Sequence, residues 1–327
     1  MSSMNASCFS ALRILADGEL HSEQELSRAA GLSRDGVLGT VRQIEVLGLR
    51  VSRVRGRGYR LADPLDLLDP VALIQKVRLA SPEFRLEVLD ECSSTSSVLI
   101  GRASAGAAHG TVLVCEHQSA GRGRRGNSWI GSIGASLAFS ILWRFPEGAR
   151  ALAGLSLAVG VGVARGLERQ GVRAVRVKWP NDLYCGESKL GGVLIETSGK
   201  ASGPSAAVVG VGVNVRLTTP VRERIGRPAT DVASHSNVPP RRSELLVALL
   251  DALGETLTRF SDDGFAPFRE EWLRRHAWHG RRVELSQAGR RLAEGEVVGV
   301  AEDGALMLAT DGSVQRFQGG EISLKGA

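Results

Sequence analysis

The chain has 327 residues, and this length predicts two or three domains rather than one. Its 43% hydrophobic and 23% charged residues are close to the average of globular proteins, which excludes a disordered, collagenous or coiled-coil chain. The formal net charge of +6 permits an anionic partner without requiring one. Only five of the basic residues are lysines, and two of these, Lys178 and Lys189, lie within one short stretch.

The cysteines, the N-terminus and the longest uncharged run each exclude a class of protein. The four cysteines have neither Cys-x-x-Cys spacing nor a matching histidine pattern, so no zinc site and no disulfide framework are indicated. The first ten residues lack the basic flank, apolar block and cleavage site of a signal peptide. The longest uncharged run, 126–143, contains four serines, one asparagine and three glycines, which argues against a membrane span. We therefore expect a cytoplasmic protein without a membrane partner.

Residues 1–63 have the pattern of three short helices followed by a β-hairpin. Ser22 and Glu25 form a capping-box pattern that starts the second helix, EQELSRAA, and Gly31 ends it. Ser33 can cap the third helix, in which apolar residues recur at helical spacing. The following LRVSRVRGRGYRL has two alternating arms around a glycine-containing tip. This order predicts a winged helix-turn-helix domain.

The third helix and the hairpin carry residue types that can contact DNA. Side chains opposite the apolar stripe of the helix can reach base edges in a major groove, and hairpin arginines can lie along a phosphate backbone. The predicted DNA-binding residues are Ser33, Arg34, Thr40, Arg42 and Gln43 on the helix and Arg53, Arg55 and Arg57 on the hairpin. The alternatives are a winged helix that contacts protein and a basic surface that is merely solvated, since helix-turn-helix patterns are common and Gly36 and Gly39 weaken the third helix.

The rest of the chain divides into a linker and two further domains. A proline-containing segment predicts a linker over 64–74. Strand-like and helix-like segments then predict a central α/β domain with a mixed sheet over 75–278. From about Arg281 the pattern of short strands and turns predicts a small, SH3-like β-barrel over 279–327. The predicted fold class is therefore α+β.

The segment Gly121–Gly126, GRGRRG, satisfies the G-x-G-x-x-G pattern of dinucleotide-binding folds after a strand. The residues that follow show no helical period, and ASLAFSILW has a strand pattern where the crossover helix would have to lie. A glycine-hinged loop with three arginines remains, and such a loop suits a phosphate or a carboxylate. The alternative is an ordinary basic surface loop.

A second group of polar residues lies in VKWPNDLYCGESKLGGVLIET. Asn181 and Asp182 follow a strand that ends at Pro180, and Lys189 precedes two glycines that allow close approach to a ligand. Lys189 offers an ammonium charge, and Asp182 offers a carboxylate for a metal, a hydroxyl or an amine. Alternatively, Lys189 lies at a hairpin tip and Asp182 caps a turn. A third segment, VVGVGVNV, has the pattern of a glycine-interrupted strand ending near Asn214.

Four motifs together resemble the biotin–protein ligases. They are E-C-S-S-T-S at 91–96, E-H-Q-S-A-G-R-G-R-R-G-N-S-W at 116–129, V-K-W-P-N-D-L at 177–183 and G-V-G-V-N at 210–214. The N-terminal unit is similar to that of the bifunctional form, which is both biotin ligase and repressor of the biotin operon. The resemblance covers essentially the whole chain, and the combination of G-R-G-R-R-G with K-W-P-N-D is highly specific.

The resemblance implies a two-step reaction. Biotin and ATP, with Mg²⁺, give biotinyl-5′-adenylate and pyrophosphate, and a lysine of a biotin carboxyl carrier protein, an acetyl-CoA carboxylase subunit, then attacks the mixed anhydride. Because the first step joins a carboxylate to a phosphate, positive charge and N–H donors are needed where the two anions meet. The resemblance further implies that the adenylate-bound protein forms a homodimer and represses transcription at operator DNA, with the adenylate as corepressor.

The resemblance also implies which residues form the site. The implied catalytic residues are Lys189, Arg124 and Asp182, with Asp182 orienting or deprotonating the acceptor lysine. The implied biotin-binding and adenylate-binding residues are Ser94, Thr95, Ser96, Gln118, Gly121, Arg122, Gly123, Arg124, Trp129, Lys189 and Asn214.

The chain departs from the family pattern in two places, and two other functions remain open. Ser96 stands where the family commonly has asparagine, which removes an amide donor, and residues 216–233 do not align clearly enough to assign. The first alternative function is a biotin-sensing transcriptional regulator without ligase activity, against which the intact Lys189, Arg124 and Asp182 argue. The second is a lipoate-type ligase, against which the two specific motifs argue.

Overall fold

The computed structural model describes residues 6–146, 148, 152–199, 205–310, 312–318 and 320–324. The helices in these ranges are α1 (Ala6–Leu15), α2 (Glu23–Ala30), α3 (Arg34–Val46), α4 (Pro70–Ala80), α5 (Thr95–Ser104), α6 (Leu155–Arg169), α7 (Thr219–Ile225), α8 (Arg242–Asp263) and α9 (Ala266–Arg275). The strands are β1 (Val51–Val54), β2 (Gly58–Leu61), β3 (Arg85–Cys92), β4 (Thr111–Gln118), β5 (Ser136–Phe145), β6 (Val175–Lys178), β7 (Asp182–Cys185), β8 (Ser188–Gly199), β9 (Ser205–Asn214), β10 (Arg282–Gln287), β11 (Arg290–Val300), β12 (Leu306–Thr310), β13 (Ser313–Phe317) and β14 (Glu321–Leu324). None of the helices in the described ranges is both long and apolar enough to cross a membrane.

The three helices and the hairpin predicted for the N-terminal unit are present and share a hydrophobic core. Helix α2 starts with the predicted capping box and ends at Gly31, and Ser33 caps α3. One member of this core comes from outside the unit. Ile133, in the loop before β5, is only 3% exposed and packs in the N-terminal core. A segment of the central unit is therefore inserted into the N-terminal one.

The linker predicted over 64–74 is shorter than predicted, because α4 already begins at Pro70. It is also firmly packed: the Leu68 N–H donates to Glu116 Oε1 at 2.6 Å, and the Arg242 N–H donates to Asp66 Oδ2 at 2.6 Å. Arg242 and Glu116 form an ion pair of 2.8 Å between side chains with no exposed surface. Because buried charges require hydrogen-bond partners, the linker backbone is part of the central core.

The central unit is built on a seven-stranded mixed sheet with the order β3-β4-β5-β9-β8-β7-β6. Only β3 and β4 pair in parallel; the other neighbours are antiparallel. Along β5, residues Leu137, Phe139 and Ile141 face the core formed with α6 and α8, whereas Leu142 packs with α5. The alternation leaves Ser140 on the α5 face, where the cleft described below opens.

The C-terminal unit is a five-stranded antiparallel sheet with the order β13-β12-β11-β10-β14. Its buried residues, among them Val283 and Leu306, belong to the same hydrophobic cluster as the central unit. Within the described residues β13 and β14 are the two edges of an open sheet, so closure into an SH3-like barrel stays a prediction. Residues 1–5 and 325–327 of the predicted terminal domains lie outside the described ranges.

Candidate active site

A cleft of about 250 Å³ opens at the N-terminus of α5, over the central sheet. Most of the residues predicted for the site line it: Ser94, Thr95, Ser96, Gln118, Arg122, Gly123, Arg124, Trp129, Asp182 and Lys189. Gly121 and Asn214 do not line this cleft. The motifs that are separated along the sequence therefore meet on one side of the sheet.

One end of the cleft is formed by neutral polar groups. The Thr95 N–H donates to Gln118 Oε1 at 2.7 Å, and the Thr95 hydroxyl lies 2.8 Å from Ser140 Oγ. Ser96 Oγ is 3.0 Å from the same hydroxyl of Ser140, and all three of these side chains on α5 and β5 are buried. Ser96, the departure from the family pattern, is therefore satisfied within the protein. Buried hydroxyls and an amide suit a neutral ligand group that both donates and accepts hydrogen bonds.

The glycine-rich loop is closed by its own backbone. The Gly123 N–H donates to Asn127 O at 2.7 Å, and the Trp129 N–H donates to Gly121 O at 2.9 Å. No crossover helix follows the loop, because β5 begins at Ser136. This confirms the prediction of a strand where a dinucleotide-binding fold would have its crossover helix. Gly121 acts here through its backbone and lies outside the cleft wall.

Two loop arginines are oriented by polar groups that are distant in sequence, one on β8 and one in the turn between β6 and β7. Arg122 Nη1 lies 2.9 Å from Glu196 Oε1 on β8, so the loop has an acidic neighbour that its local sequence does not show. Arg124 Nη1 donates to Asn181 Oδ1 at 3.3 Å, and Asn181 Nδ2 donates to Val193 O at 2.7 Å. The Lys-Trp-Pro-Asn-Asp segment thus orients an arginine of the glycine loop.

Lys189 and Asp182 form a preformed ion pair at the charged end of the cleft. Lys189 Nζ lies 2.5 Å from Asp182 Oδ1, and the two side chains are 13% and 18% exposed. The backbone of Lys189 donates to Pro228 O at 3.1 Å and accepts from Thr230 N at 2.9 Å. The pair is thus fixed between β7, β8 and the segment after α7, where an ammonium and a carboxylate are available in a partly desolvated place.

Two glycines of β9 make room for the cleft wall. A Cβ at Gly212 would lie 2.6 Å from Cε2 of Trp129, and a Cβ at Gly210 would lie 2.5 Å from Ser96 Oγ. Alternate residues of a strand face the same side of the sheet, so Gly210 and Gly212 both face the cleft. The Gly-Val-Gly spacing therefore indicates a flat floor under Ser96 and Trp129. The glycine-interrupted strand predicted to end near Asn214 is β9, which ends at Asn214; the sequence did not indicate that its glycines make room for the cleft wall.

Asn214 belongs to a second cavity, of about 340 Å³, which adjoins the first. The two cavities share Asn127, Ser128, Trp129, Lys189 and Arg227. Asn214 is 3% exposed; its Nδ2 donates to Thr230 O at 3.0 Å, while its Oδ1 has no hydrogen-bond partner in the described part of the chain. Ile225, Gly226 and Ala229, from the region that the sequence left unassigned, complete the wall.

The donor set of the cleft does not form a metal site by itself. Asp182 is the one acidic residue among the described residues that line it, and Asp182 is already paired with Lys189. No group of three or more His, Cys, Asp or Glu residues that could hold a metal ion occurs in the described ranges. The residues present thus fit a Mg²⁺ ion that is bound mainly by the phosphates of a nucleotide, with one protein carboxylate or a water molecule as a further ligand.

The predicted DNA-binding residues are exposed with one exception. Thr40 is only 4% exposed because it faces the core of the three helices, so its prediction as a groove-facing residue is wrong. Ser33 caps α3, and Arg34 pairs with Glu23 at 2.7 Å. The others are exposed: Arg42, Gln43, Arg53, Arg55 and Arg57. Arg53 also packs 5.8 Å above the Tyr59 ring of the hairpin.

Comparison with known proteins defines the class of this fold and site as protein ligases. Residues 90–214 match the biotin/lipoate A/B protein ligase family, and residues 279–325 match the biotin protein ligase C-terminal domain. The chain belongs to the biotin protein ligase family.

Individual relatives span different parts of the chain. The bifunctional ligase/repressor BirA of Escherichia coli strain K12 is 33% identical over 316 residues, which are 97% of this chain and 96% of that protein. The biotin–[acetyl-CoA-carboxylase] ligase of Paracoccus denitrificans is 30% identical over 218 residues, 65% of this chain and 90% of its own length. The structure of the Aquifex aeolicus biotin protein ligase in complex with biotin and ATP superposes with a TM-score of 0.62 at 29% identity, covering 74% of this chain and 98% of that one.

Proposed function

We propose that the protein is a biotin–protein ligase that forms biotinyl-5′-adenylate and transfers biotin to a lysine of a biotin carboxyl carrier domain. One observation carries this proposal: two cavities, one polar and buried at its far end, meet at Lys189 and Trp129. A reaction that joins two substrates needs such a junction, and positive charge is needed where two anionic groups approach each other.

Biotin fits the first cavity. Its ureido ring, which donates and accepts hydrogen bonds, would lie against Ser94, Thr95 and Gln118, and its carboxylate would point toward Lys189 and Arg124. Gly121, Arg122 and Gly123 would form the loop around it through backbone groups, and Trp129 would form its wall. Ser96 would support the ring through Ser140 rather than through an amide.

ATP fits the second cavity, with its α-phosphate at Lys189. The Asn214 Oδ1 atom, buried without a partner in the described residues, is an acceptor for the amino group of a base. Mg²⁺ would be held mainly by the ATP phosphates and would offset their charge. A carboxylate oxygen of biotin then attacks the α-phosphorus, pyrophosphate leaves, and Lys189 stabilises the charge that develops.

Asp182 would act in the second step. An ammonium cannot attack a mixed anhydride, so the incoming lysine must first lose a proton, which Asp182 can accept. The neutral amine then forms an amide with the biotinyl carbon, and AMP leaves. Lys189, which is paired with Asp182 in this structure, would turn to the phosphate and free the carboxylate.

A second role as repressor is favoured by the N-terminal unit. Its three helices and arginine-rich hairpin have the order of a winged helix-turn-helix, and the arginines are exposed. We propose that the adenylate acts as corepressor by favouring a homodimer that binds operator DNA. Ile133 supplies a physical connection, since it lies four residues after Trp129 and is buried in the N-terminal core.

The test is incubation with biotin, ATP and magnesium, with and without a carrier domain, while pyrophosphate release and acceptor mass are followed. Pyrophosphate release and a mass increase of one biotinyl group are expected. Absence of adenylate would exclude the proposed ligase activity, and adenylate formation without transfer would favour the biotin-sensing regulator. A parallel reaction with lipoate tests the second alternative function, because preferential use of lipoate would favour a lipoate-type ligase.

A further inference from the structure

The segment that joins α9 to the C-terminal unit, His276–Trp278, lies along the start of the Lys-Trp-Pro-Asn-Asp segment. Val177 and His276 form a parallel bridge, and the Ala277 N–H donates to Val177 O at 2.8 Å. The Trp179 N–H donates to His276 Nε2 at 3.4 Å. A short piece of chain from the domain junction therefore extends the edge strand β6 at the point where it enters the cleft.

Packing alone does not explain why a histidine occupies position 276. It is 2% exposed and stacks on the Trp272 ring at 4.6 Å, but its Nδ1 has no hydrogen-bond partner in the described residues. Leaving a buried donor unsatisfied is unfavourable, and an apolar side chain would avoid it. Burial, aided by the nearby charges of His279 and Lys178, lowers the pKa of His276 to about 3. The imidazole is thus neutral at physiological pH and keeps an acceptor for the Trp179 N–H.

Trp278 holds the first side chain of the same motif. Lys178 Nζ lies 4.0 Å from the Trp278 ring centroid and 3.4 Å from the Tyr184 hydroxyl. Trp278 is 5% exposed, so the contact is largely desolvated, which strengthens a cation–π interaction. Lys178 nevertheless lines the cleft. The ring therefore fixes an ammonium group in the wall of the active site.

Lys178 is also placed opposite the proposed base. Lys178 and Asp182 are register partners across β6 and β7, and Asp182 contacts Lys189 on β8. Directly opposed residues of antiparallel strands have neighbouring side chains. Asp182 thus has a cation on each adjacent strand. If Lys189 turns to the adenylate phosphate, Lys178 remains to hold the carboxylate in place.

We propose that His276 and Trp278 are positioning residues of the ligase: they hold Lys178 and the backbone of Trp179 so that Asp182 faces the acceptor lysine in the transfer step. The inference rests on the proposed function, which assigns Asp182 to that step. It predicts that the biotin end of the cleft, built from Ser94, Thr95 and Gln118, is independent of this pair.

The experiment uses the full chain and compares Trp278→Leu with the matched control Trp278→Phe, and His276→Leu with His276→Gln, which keeps an acceptor. Biotin affinity, pyrophosphate release and single-turnover transfer from preformed adenylate are measured separately. The leucine variants are expected to bind biotin within about twofold of wild type and to transfer roughly tenfold more slowly, with the controls recovering most of the rate. Loss of all three activities by one common factor, or wild-type transfer in the leucine variants, would overturn the proposal.

A second readout does not depend on catalysis. With only five lysines in the chain, amine labelling followed by mass spectrometry can report Lys178 separately. Trp278→Leu is expected to raise the labelling rate of Lys178 several-fold and to leave the labelling rate of the exposed Lys76 unchanged. An unchanged labelling rate of Lys178 would contradict the proposed contact between Lys178 and the Trp278 ring. If the wild-type protein forms no adenylate, the proposed function fails first, and the labelling result still decides whether Trp278 holds Lys178.

Discussion

Gly134 and Leu65 pack so closely that a Cβ on Gly134 would lie 3.1 Å from the Leu65 Cβ, and Gly134 has a φ of +68°. This contact joins the loop that follows Trp129 to the linker behind the N-terminal unit. The preceding residue, Ile133, is buried in the N-terminal core. The conformation of the loop after Trp129 and the position of the N-terminal unit are therefore connected through two adjacent residues, Ile133 and Gly134.

Replacing Ile133 tests this connection. Ile133→Ala should destabilise the protein by about 2–5 kcal/mol, since it leaves a cavity in the N-terminal core. Because the loop and the core are then less firmly joined, adenylate should enhance operator binding less than in the wild type. Thermal unfolding and DNA binding with and without adenylate measure the two effects.

Ile130 provides the matched control for Ile133. It lies three residues earlier and lines the second cavity. Ile130→Ala should weaken adenylate formation while the N-terminal unit keeps its stability. Equal effects of both substitutions on adenylate-dependent DNA binding would remove the special role of Ile133.

Lys189→Ala removes the lysine cation at the junction of the two cavities, where Arg227 also lies. Adenylate formation should fall by roughly 100-fold or more, because the charge that develops on the phosphate is no longer stabilised and Asp182 is left unpaired. DNA binding by protein loaded with preformed adenylate should change far less. Pyrophosphate release and operator binding, measured on the same preparation, distinguish the two, and comparable losses in both would argue against separate sites.

Arg55→Ala is the reciprocal change. Arg55 is exposed at the hairpin of the N-terminal unit and does not line either cavity. Its removal should weaken DNA binding and lower the salt dependence of log K by about one phosphate contact, while biotin transfer remains at the wild-type level. Binding titrations at several salt concentrations measure the slope. Salt-independent binding by the wild type would contradict the DNA-binding surface itself.

His276 predicts a pH dependence of stability. Its pKa lies near 3 in the folded protein, below the ordinary value of 6.5, so the unfolded chain binds a proton first as the pH falls. The contribution of neutral His276 is fully present above about pH 6.5 and is lost toward pH 3, at about 1.4 kcal/mol per pH unit within this window. Chemical denaturation of wild type and His276→Gln from pH 8 to pH 4 checks it. A constant difference between the two curves would show that His276 does not titrate in this way.

Local signals predicted much of the fold, because caps and alternation act over a few residues. Helix α2 has the predicted bounds, and β5 lies where ASLAFSILW predicted a strand. Helix α5 was not predicted: its serines and β-branched residues are weak helix formers, and the helix is stabilised by packing Leu99 and Ala103 on the sheet. Thr40 was placed on the wrong face because a polar residue on a short helix can still face the core.

The site was predictable where its chemistry is concentrated in one motif, and less so where it depends on long-range contacts. The motifs indicated Lys189 and Asp182, but not that they form an ion pair. The acidic partner of Arg122 is Glu196, 74 residues further along the chain, which no local pattern shows. Residues 225–229 form a wall of the second cavity only because the chain returns to Lys189 through Thr230.

The buried Arg242 determines where the polypeptide can be divided. Its side chain donates to the backbone oxygen of Asp66, in the linker, and to Glu116, on β4 of the central unit. A ligase fragment that begins at residue 75 would keep the Glu116 ion pair but would remove both contacts of Arg242 with Asp66, which leaves buried N–H donors without their acceptors and destabilises the fold. A fragment that begins before Asp66 keeps those partners, although it exposes Ile133. Whether the catalytic unit is stable on its own therefore depends on the residue at which the fragment begins. The N-terminal unit cannot be exchanged as an independent module unless its contacts with the linker and with Ile133 are redesigned.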